Sequence, residues 1–245
     1  MKIAVLGGGL VGRLAAWAAM QAGHSPTILD RMYDKIAKPP RGFVYLHENC
    51  DLPLEPQLVT VMSQGEDLGY KYKVYGDRGD TFTTSFGRYD GTRECFDPGE
   101  LLSLLNGFQH GMVEERNFAD RDEVLALREE YDRLVFTLPV NSFFGGHWPF
   151  IKASVGAWPL NAGERPVNTC VYNSNPEIPW NRAGIMFGWA FREFPTVLAG
   201  HQPIVKVMPG DPPPEVENVL FTGRFGSWTK QLSHQSYREV LEWLT

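Results

Sequence analysis

Six residues near the start of the chain, Gly7-Gly8-Gly9-Leu10-Val11-Gly12, have the types and spacing to hold a phosphate. They satisfy GxGxxG. In such a loop Gly7 permits a tight turn, Gly9 lets the backbone approach a pyrophosphate, and Gly12 lets a helix lie against its strand. The helix opening at Leu10 presents free N–H groups and the positive end of its dipole to the same phosphate. Asp30, some twenty residues on, suits the ribose hydroxyls of an adenosine and would repel a 2′-phosphate, which disfavours NADP. Those groups make a dinucleotide site, and the fingerprint by itself fits FAD and NAD equally.

The elements that must position these residues are legible. Residues 2–6 (Lys-Ile-Ala-Val-Leu) read as a buried strand, Leu10 to Ala22 as a helix ended by Gly23, and Thr27 to Leu29 as a second strand. Ala16 and Gly23 fall at the further small-residue positions of the fingerprint. This is a β-α-β start of the expected size. Further on, 42–46 has strand composition. Tyr70 to Phe96 reads as antiparallel hairpins, with turn signals at Gly76-Asp77, Arg78-Gly79-Asp80 and Asp90-Gly91. Asp97-Pro98-Gly99-Glu100 opens a helix with a cap and a proline at its first position. Val113 to Asn117 reads as a short strand, Asp120 to Glu130 as a short helix, and Leu134 to Leu138 as a buried strand. Residues 141–215 read as short strands and loops, Val219 to Thr222 as the last strand, and Ser233 to Leu244 as the final helix.

Composition limits the function. A formal charge of −6 argues against general nucleic-acid binding, which needs a positive face. No apolar run approaches the roughly 20 residues that span a bilayer. The chain starts directly on a strand, with no cleaved signal, so a cytoplasmic location is expected. Cys50, Cys95 and Cys170 are too few and scattered for a disulfide framework and read as reduced apolar residues; the histidines show no ligand spacing, so no metal is expected.

Three segments resemble the FAD-binding superfamily that contains UDP-galactopyranose mutase, amine oxidases and D-amino-acid oxidases. One is 1–31, ending Leu29-Asp30-Arg31. Another is the run Tyr131-Asp132-Arg133-Leu134-Val135-Phe136-Thr137-Leu138-Pro139-Val140-Asn141-Ser142-Phe143-Phe144, similar to the strand and turn that leave the nucleotide domain in the mutase. The third is Asn218-Val219-Leu220-Phe221-Thr222-Gly223-Arg224-Phe225-Gly226-Ser227-Trp228 with the helix from Ser233, similar to the element that brings a helix start under the flavin. A weaker match is Val171-Tyr172-Asn173 with Ile178-Pro179-Trp180-Asn181-Arg182. The resemblance selects FAD. It implies an α/β fold: a Rossmann-type FAD-binding domain with a parallel sheet (1–48, 97–140 and 216–245) plus a small inserted antiparallel β-rich substrate lobe (49–96 and 141–215).

The same resemblance implies a cofactor-binding set of Gly7, Gly9, Leu10, Val11, Gly12, Asp30, Arg31, Arg41, Gly42, Val113, Thr137, Pro139, Gly223, Arg224, Ser233, His234, Gln235 and Ser236. Arg41-Gly42 stands where the superfamily often has a Gly-Gly doublet. The start of the last helix would face the charge of a reduced flavin near N1 and O2. His47, Arg182, Arg224 and Lys230 are the candidate catalytic residues; Tyr45, Trp180 and Trp228 are candidates to line the ring. The expected activity is an FAD-dependent oxidation of a C–N or C–H bond in an amine-type substrate, small or polymer-attached, with a homo-oligomer completing the pocket as one option. A non-redox flavoenzyme of the mutase type and a non-catalytic dinucleotide-binding module are the alternatives.

Overall fold

The structure is a computed structural model and describes residues 1–31, 47–76, 87, 90–146, 148–157, 168–208 and 210–245. The strand expected over 42–46 and the turn expected at 78–80 lie outside the described residues, as do Arg41, Gly42 and Tyr45.

The chain opens on strand β1 (Lys2–Leu6), helix α1 (Leu10–Gln21) and strand β2 (Ser25–Asp30). β1 is buried on both faces after its first residue, as a strand inside a covered parallel sheet must be. Strands β5 (Val113–Glu115), β6 (Arg133–Phe136) and β12 (Val219–Phe221) complete a five-stranded sheet in the order β12-β6-β1-β2-β5, every pair parallel. The order reverses beside β1. In open sheets of this kind, ligands bind outside the carboxyl ends of the strands at that point.

Helices cover both faces. On one side lie α1, α3 (Pro98–Phe108) and the last helix α7 (Ser233–Leu244), with Leu14, Trp17, Leu101, Leu105, Tyr237 and Val240 in one core. Asp97 caps α3 by accepting the Gly99 N–H at 2.7 Å, with Pro98 at its first position, as the sequence requires. On the other side, α4 (Arg121–Ala126), a following 3-10 turn and the short α5 (Asn141–Phe144) pack with Phe136, Phe221 and Trp228. Asp120 caps α4 by accepting the N–H groups of Asp122 and Glu123.

A second, seven-stranded sheet is built from β3 (Gln57–Gln64), β4 (Gly91–Cys95), β7 (Phe150–Ala157), β8 (Thr169–Asn173), β9 (Arg182–Met186), β10 (Trp189–Phe194) and β11 (Gln202–Val207). Its order is β11-β7-β10-β9-β8-β3-β4; β3 and β8 run parallel and the other neighbours antiparallel. One face carries Val59, Val61, Val155, Cys170, Tyr172 and Phe191 against Tyr70 and Val74 of helix α2 (Asp67–Tyr75). The chain is thus an α/β protein with a parallel sheet and a β-rich second sheet.

Two expectations change. The hairpins expected from Tyr70 onward begin instead with α2: Tyr70 and Val74, four apart, are buried while Tyr72 is exposed. Such spacing makes one helical face, not a strand. The reading also missed β3, whose buried Val59 and Val61 alternate with exposed Leu58 and Met62. Cys50, Cys95 and Cys170 are free and buried; burial pushes the Cys50 thiol up to about 12 and the other two up to about 11.

Candidate functional site at the carboxyl edge of the parallel sheet

The glycine loop sits where the strand order reverses. Gly7 has φ +104, a backbone that L side chains rarely adopt, and a methyl there would fall 2.7 Å from Thr137 Oγ1. Gly12 is tighter: its added carbon would lie 1.7 Å from the Gly7 carbonyl oxygen. Gly9 is the opposite case, with no atom within 4 Å of such a carbon, so the turn borders open space. Gly9 caps α1 with extended backbone and no side-chain hydrogen bond, which leaves the helix start to a ligand. This combination of a packed Gly7 and Gly12 with an open Gly9 fits a pyrophosphate.

Asp30 ends β2 beside this turn and accepts the Gly8 N–H at 2.6 Å. The charge of Arg13, on α1, acts on Asp30. Arg13 is buried; it hydrogen-bonds Gln109 at 3.3 Å, and Gln109 returns a bond to the Arg13 carbonyl at 2.7 Å. Burial lowers its affinity for a proton and Asp30 opposes that. Arg31 is exposed next to Asp30. On β5, the residue level with Asp30 is Glu115; Val113 pairs with Ile28, two positions further into the sheet.

The second segment meets the loop from β6. Thr137 donates its hydroxyl to the Leu6 carbonyl at 2.8 Å and its N–H to the same oxygen at 3.0 Å. Pro139 then turns the chain so that Val140 N–H reaches the Phe225 carbonyl. The third segment closes from β12. Gly223 has φ +77, and a methyl on it would fall 2.7 Å from Val11 Cγ1. A short helix α6 (Gly223–Gly226) follows. The loop to α7 is held by Gln231, whose side-chain oxygen accepts the Gly223 N–H at 2.6 Å and whose NH₂ donates to Glu239 at 2.8 Å. The Thr222 hydroxyl also donates to Glu239.

At the start of α7, Gln235 accepts the Leu232 N–H at 2.9 Å, while the Ser236 N–H is spent on the Leu232 carbonyl. Ser233, His234 and Gln235 therefore form the open first turn. His234 stands edge-to-face with His47 at 5.5 Å between centroids, and Glu48 lies 3.8 Å from its ring nitrogen. Burial lowers the His234 pKa against the pull of Glu48. Glu48 is also bound by Arg238 at 2.6 Å, and Tyr237 donates to Asp51 at 2.7 Å, which ties 47–51 to α7.

The second sheet meets the α6 region where Phe150 of β7 stands edge-on to Phe225 and Trp228. Glu193 of β10 is buried; Arg182 binds one carboxylate oxygen at 2.7 Å, while Lys206 and Asn181 bind the other. Burial opposes its charge, yet Arg182 and Lys206 hold the carboxyl down at about 2. Arg182 also lies over the Tyr172 and Phe191 rings. Lys230 sits 4.3 Å from the Tyr75 ring centre. Burial, then the charges of Arg224, Lys71 and Lys206, bring its pKa down to about 8, against the pull of Asp67. Arg224 is exposed on α6, and its charge reaches Tyr75, Lys206 and Lys230.

The structure thus brings Gly7, Gly9, Leu10, Val11, Gly12, Asp30, Thr137, Pro139 and Gly223 to one edge, with Arg224 and Lys230 beside the second sheet. Trp228 is fully buried in the core against Phe150 at 4.9 Å, so it is no ring wall; Trp180 is half-buried. Glu193, Lys206, Tyr75, Gln231 and Arg13 were missed. Of these only Arg13 left a local signal, a lone charge in an otherwise apolar helix.

No protein-family model matches the chain, and no curated protein matches it by sequence. The likeness is one of fold. HpxO of Klebsiella pneumoniae, in a crystal structure complexed with FAD and uric acid, is similar with a TM-score of 0.50 and 13% identity, over 98% of this chain and 78% of that one. A variant of HpxO complexed with FAD gives a TM-score of 0.51 and 13% identity, over 98% and 79%. A mutant of 2-methyl-3-hydroxypyridine-5-carboxylic acid oxygenase gives 0.51 and 11%, over 99% and 80%. Among the described residues, no helix is long and apolar enough to cross a membrane.

Proposed function

We propose that the chain holds FAD along the carboxyl edge of its parallel sheet and is an FAD-dependent oxidoreductase acting on a small organic molecule. One observation carries this reading: Gly223, from the last strand, closes on Val11 at the start of α1. That contact sets the C-terminal element beside the glycine loop, as a cofactor longer than a pyrophosphate requires. The complexes of HpxO with FAD support the choice of cofactor.

In this reading the uncapped start of α1, with Gly9, Leu10, Val11 and Gly12, takes the pyrophosphate, and Asp30 with Arg31 takes the adenosine end. Thr137, Pro139, Gly223 and the first turn of α7 border the isoalloxazine end. Bound there, FAD supplies an electron and hydride acceptor. Lys230, with its pKa near 8, holds or gives up a proton close to neutral pH. His47 and His234 stand edge to face beside the first turn of α7, and Arg182 positions the Glu193 network. An amine-type substrate follows from the mutase and amine oxidase resemblance; uric acid and a pyridinecarboxylic acid are named for the structural neighbours.

The test is an absorbance spectrum of the purified protein and the mass of the released cofactor. Flavin bands and the mass of FAD are expected. A colourless protein that takes up no FAD would sink the reading, and a flavin that stays oxidised with every donor would leave only a binding module.

A further inference from the structure

We infer that His234 is a proton-holding residue for the cofactor: it takes up a proton at Nε2 when two electrons enter the flavin ring and releases it on reoxidation. The inference rests on the reading of this edge as an FAD site and concerns the charge that reduction brings there.

Three observations meet at the start of α7. Its cap, Leu232, has no polar side chain, so the first turn keeps its N–H groups and the positive end of a twelve-residue helix for a ligand. The His234 side chain in that turn is only 9% exposed, and its Nδ1, the ring nitrogen nearer the helix backbone, is buried with no hydrogen-bond partner among the described residues. Such an atom carries an unrecovered desolvation cost unless a ligand group meets it. The far nitrogen, Nε2, lies 3.8 Å from Glu48 Oε1, and Arg238 binds the other oxygen of that carboxylate at 2.6 Å. The imidazole therefore stands between a fixed carboxylate and an open helix start.

Among the described residues, the titratable and charged groups around the ring are His47, Glu48, Cys50 and Asp51 on the segment before β3, and Tyr237 and Arg238 on α7. The Cys50 thiol, pushed up to about 12, is neutral, and Asp51 accepts the Tyr237 hydroxyl. Glu48 draws a proton to the ring, while burial and Arg238 oppose it, and the balance leaves the imidazole neutral at pH 7. A negative charge at the open turn tips that balance toward the imidazolium. Nε2–H then faces Glu48 and Nδ1–H faces the new anion, both in charge-assisted contacts.

The step balances. Two electrons and one proton give the flavin ring one negative charge, and a second proton, drawn from solvent onto His234, cancels it. The electrons come from the organic substrate in turnover and from dithionite in the test. Linkage makes the effect reciprocal, so the proton on His234 also favours the reduced cofactor.

The FAD-loaded protein is reduced with dithionite against a reference dye between about pH 6 and 8, and the midpoint potential is followed with pH. Each proton taken up with the electron pair changes the equilibrium tenfold per pH unit, which is about 30 mV. The parent protein should show about 60 mV per pH unit and His234→Gln about 30 mV. Independently, in protein labelled with ¹³C,¹⁵N-histidine, the ring resonance that Glu48→Gln displaces should pass from neutral to protonated on reduction at pH 7. That resonance decides the matter should His234→Gln fail to fold or to hold FAD. A parent slope of about 30 mV, a doubled slope that survives His234→Gln, or a ring that stays neutral on reduction overturns the inference. A protein that takes up no FAD overturns the reading of the site instead.

Discussion

A methyl group added at Gly223 would come within 2.7 Å of Val11 Cγ1, although the two stand 212 positions apart in the chain. This contact locks the last strand to the first helix. It also lets the closure be probed without touching any charged group. Gly223→Ala meets both an unfavourable positive φ and the Val11 side chain, at an expected cost of about 2–4 kcal/mol. The second substitution Val11→Ala should recover the steric part only. Thermal unfolding of the single and double variants, with flavin retention alongside, checks both statements.

Gly9 and Gly12 should separate binding from folding. Gly12→Ala drives its new carbon into a backbone oxygen and is expected to destabilise by about 3 kcal/mol or more. Gly9→Val places its bulk in open space at the helix start and should leave the melting temperature of the cofactor-free protein within a degree or two. FAD retention should nonetheless fall sharply. Equal retention in Gly9→Val and the parent protein would remove Gly9 from the pyrophosphate site.

The Asp30 carboxylate holds the Gly8 N–H at 2.6 Å, so it orders the loop besides being the group proposed to meet the ribose. Asp30→Asn keeps one acceptor oxygen and loses the charge. Affinity for FAD is expected to drop about tenfold, the usual order for one charge-assisted hydrogen bond. Equilibrium dialysis against free FAD measures it.

Glu193 carries a pH dependence of definite sign. Its folded pKa of about 2 lies below the ordinary 4.5, so its contribution is full above pH 4.5 and is lost as the pH falls toward 2. The loss is on the order of 3 kcal/mol. Glu193→Ala should cost about 3–5 kcal/mol at neutral pH, because Arg182 and Lys206 stay buried without their counter-ion. It should also flatten the acid limb. Urea denaturation between pH 3 and 7 for both proteins gives the comparison.

The nucleotide-binding start was legible because each signal there is local. Apolar residues 3–6, the spaced glycines and Asp30 lie within one β-α-β unit. The bounds of α7 were legible too, from its amphipathic spacing after a polar loop. The Tyr70–Tyr75 stretch misled because alternating Tyr, Lys and Val mimics a strand, while the burial of Tyr70 and Val74 is a tertiary outcome. The Glu193 cluster was out of reach for a related reason. Arg182 faces Glu193 through the β9–β10 register, and Lys206 arrives from β11 two strands away. Nothing in the spacing of those three residues announces that they share one carboxylate. The Gln231 clasp on Gly223 and Glu239 is likewise set only once α7 has docked.

The pairing of β3 with β8 runs parallel and joins residues 57–64 to 169–173, while β6 waits for β12 at 219–221. During synthesis, then, neither sheet can be completed until most of the chain has left the ribosome. Non-local pairings of this kind form slowly and leave strand edges open in the meantime. Early termination products should therefore be chaperone clients or aggregates, and cutting the gene between the sheets should yield no separately folding half.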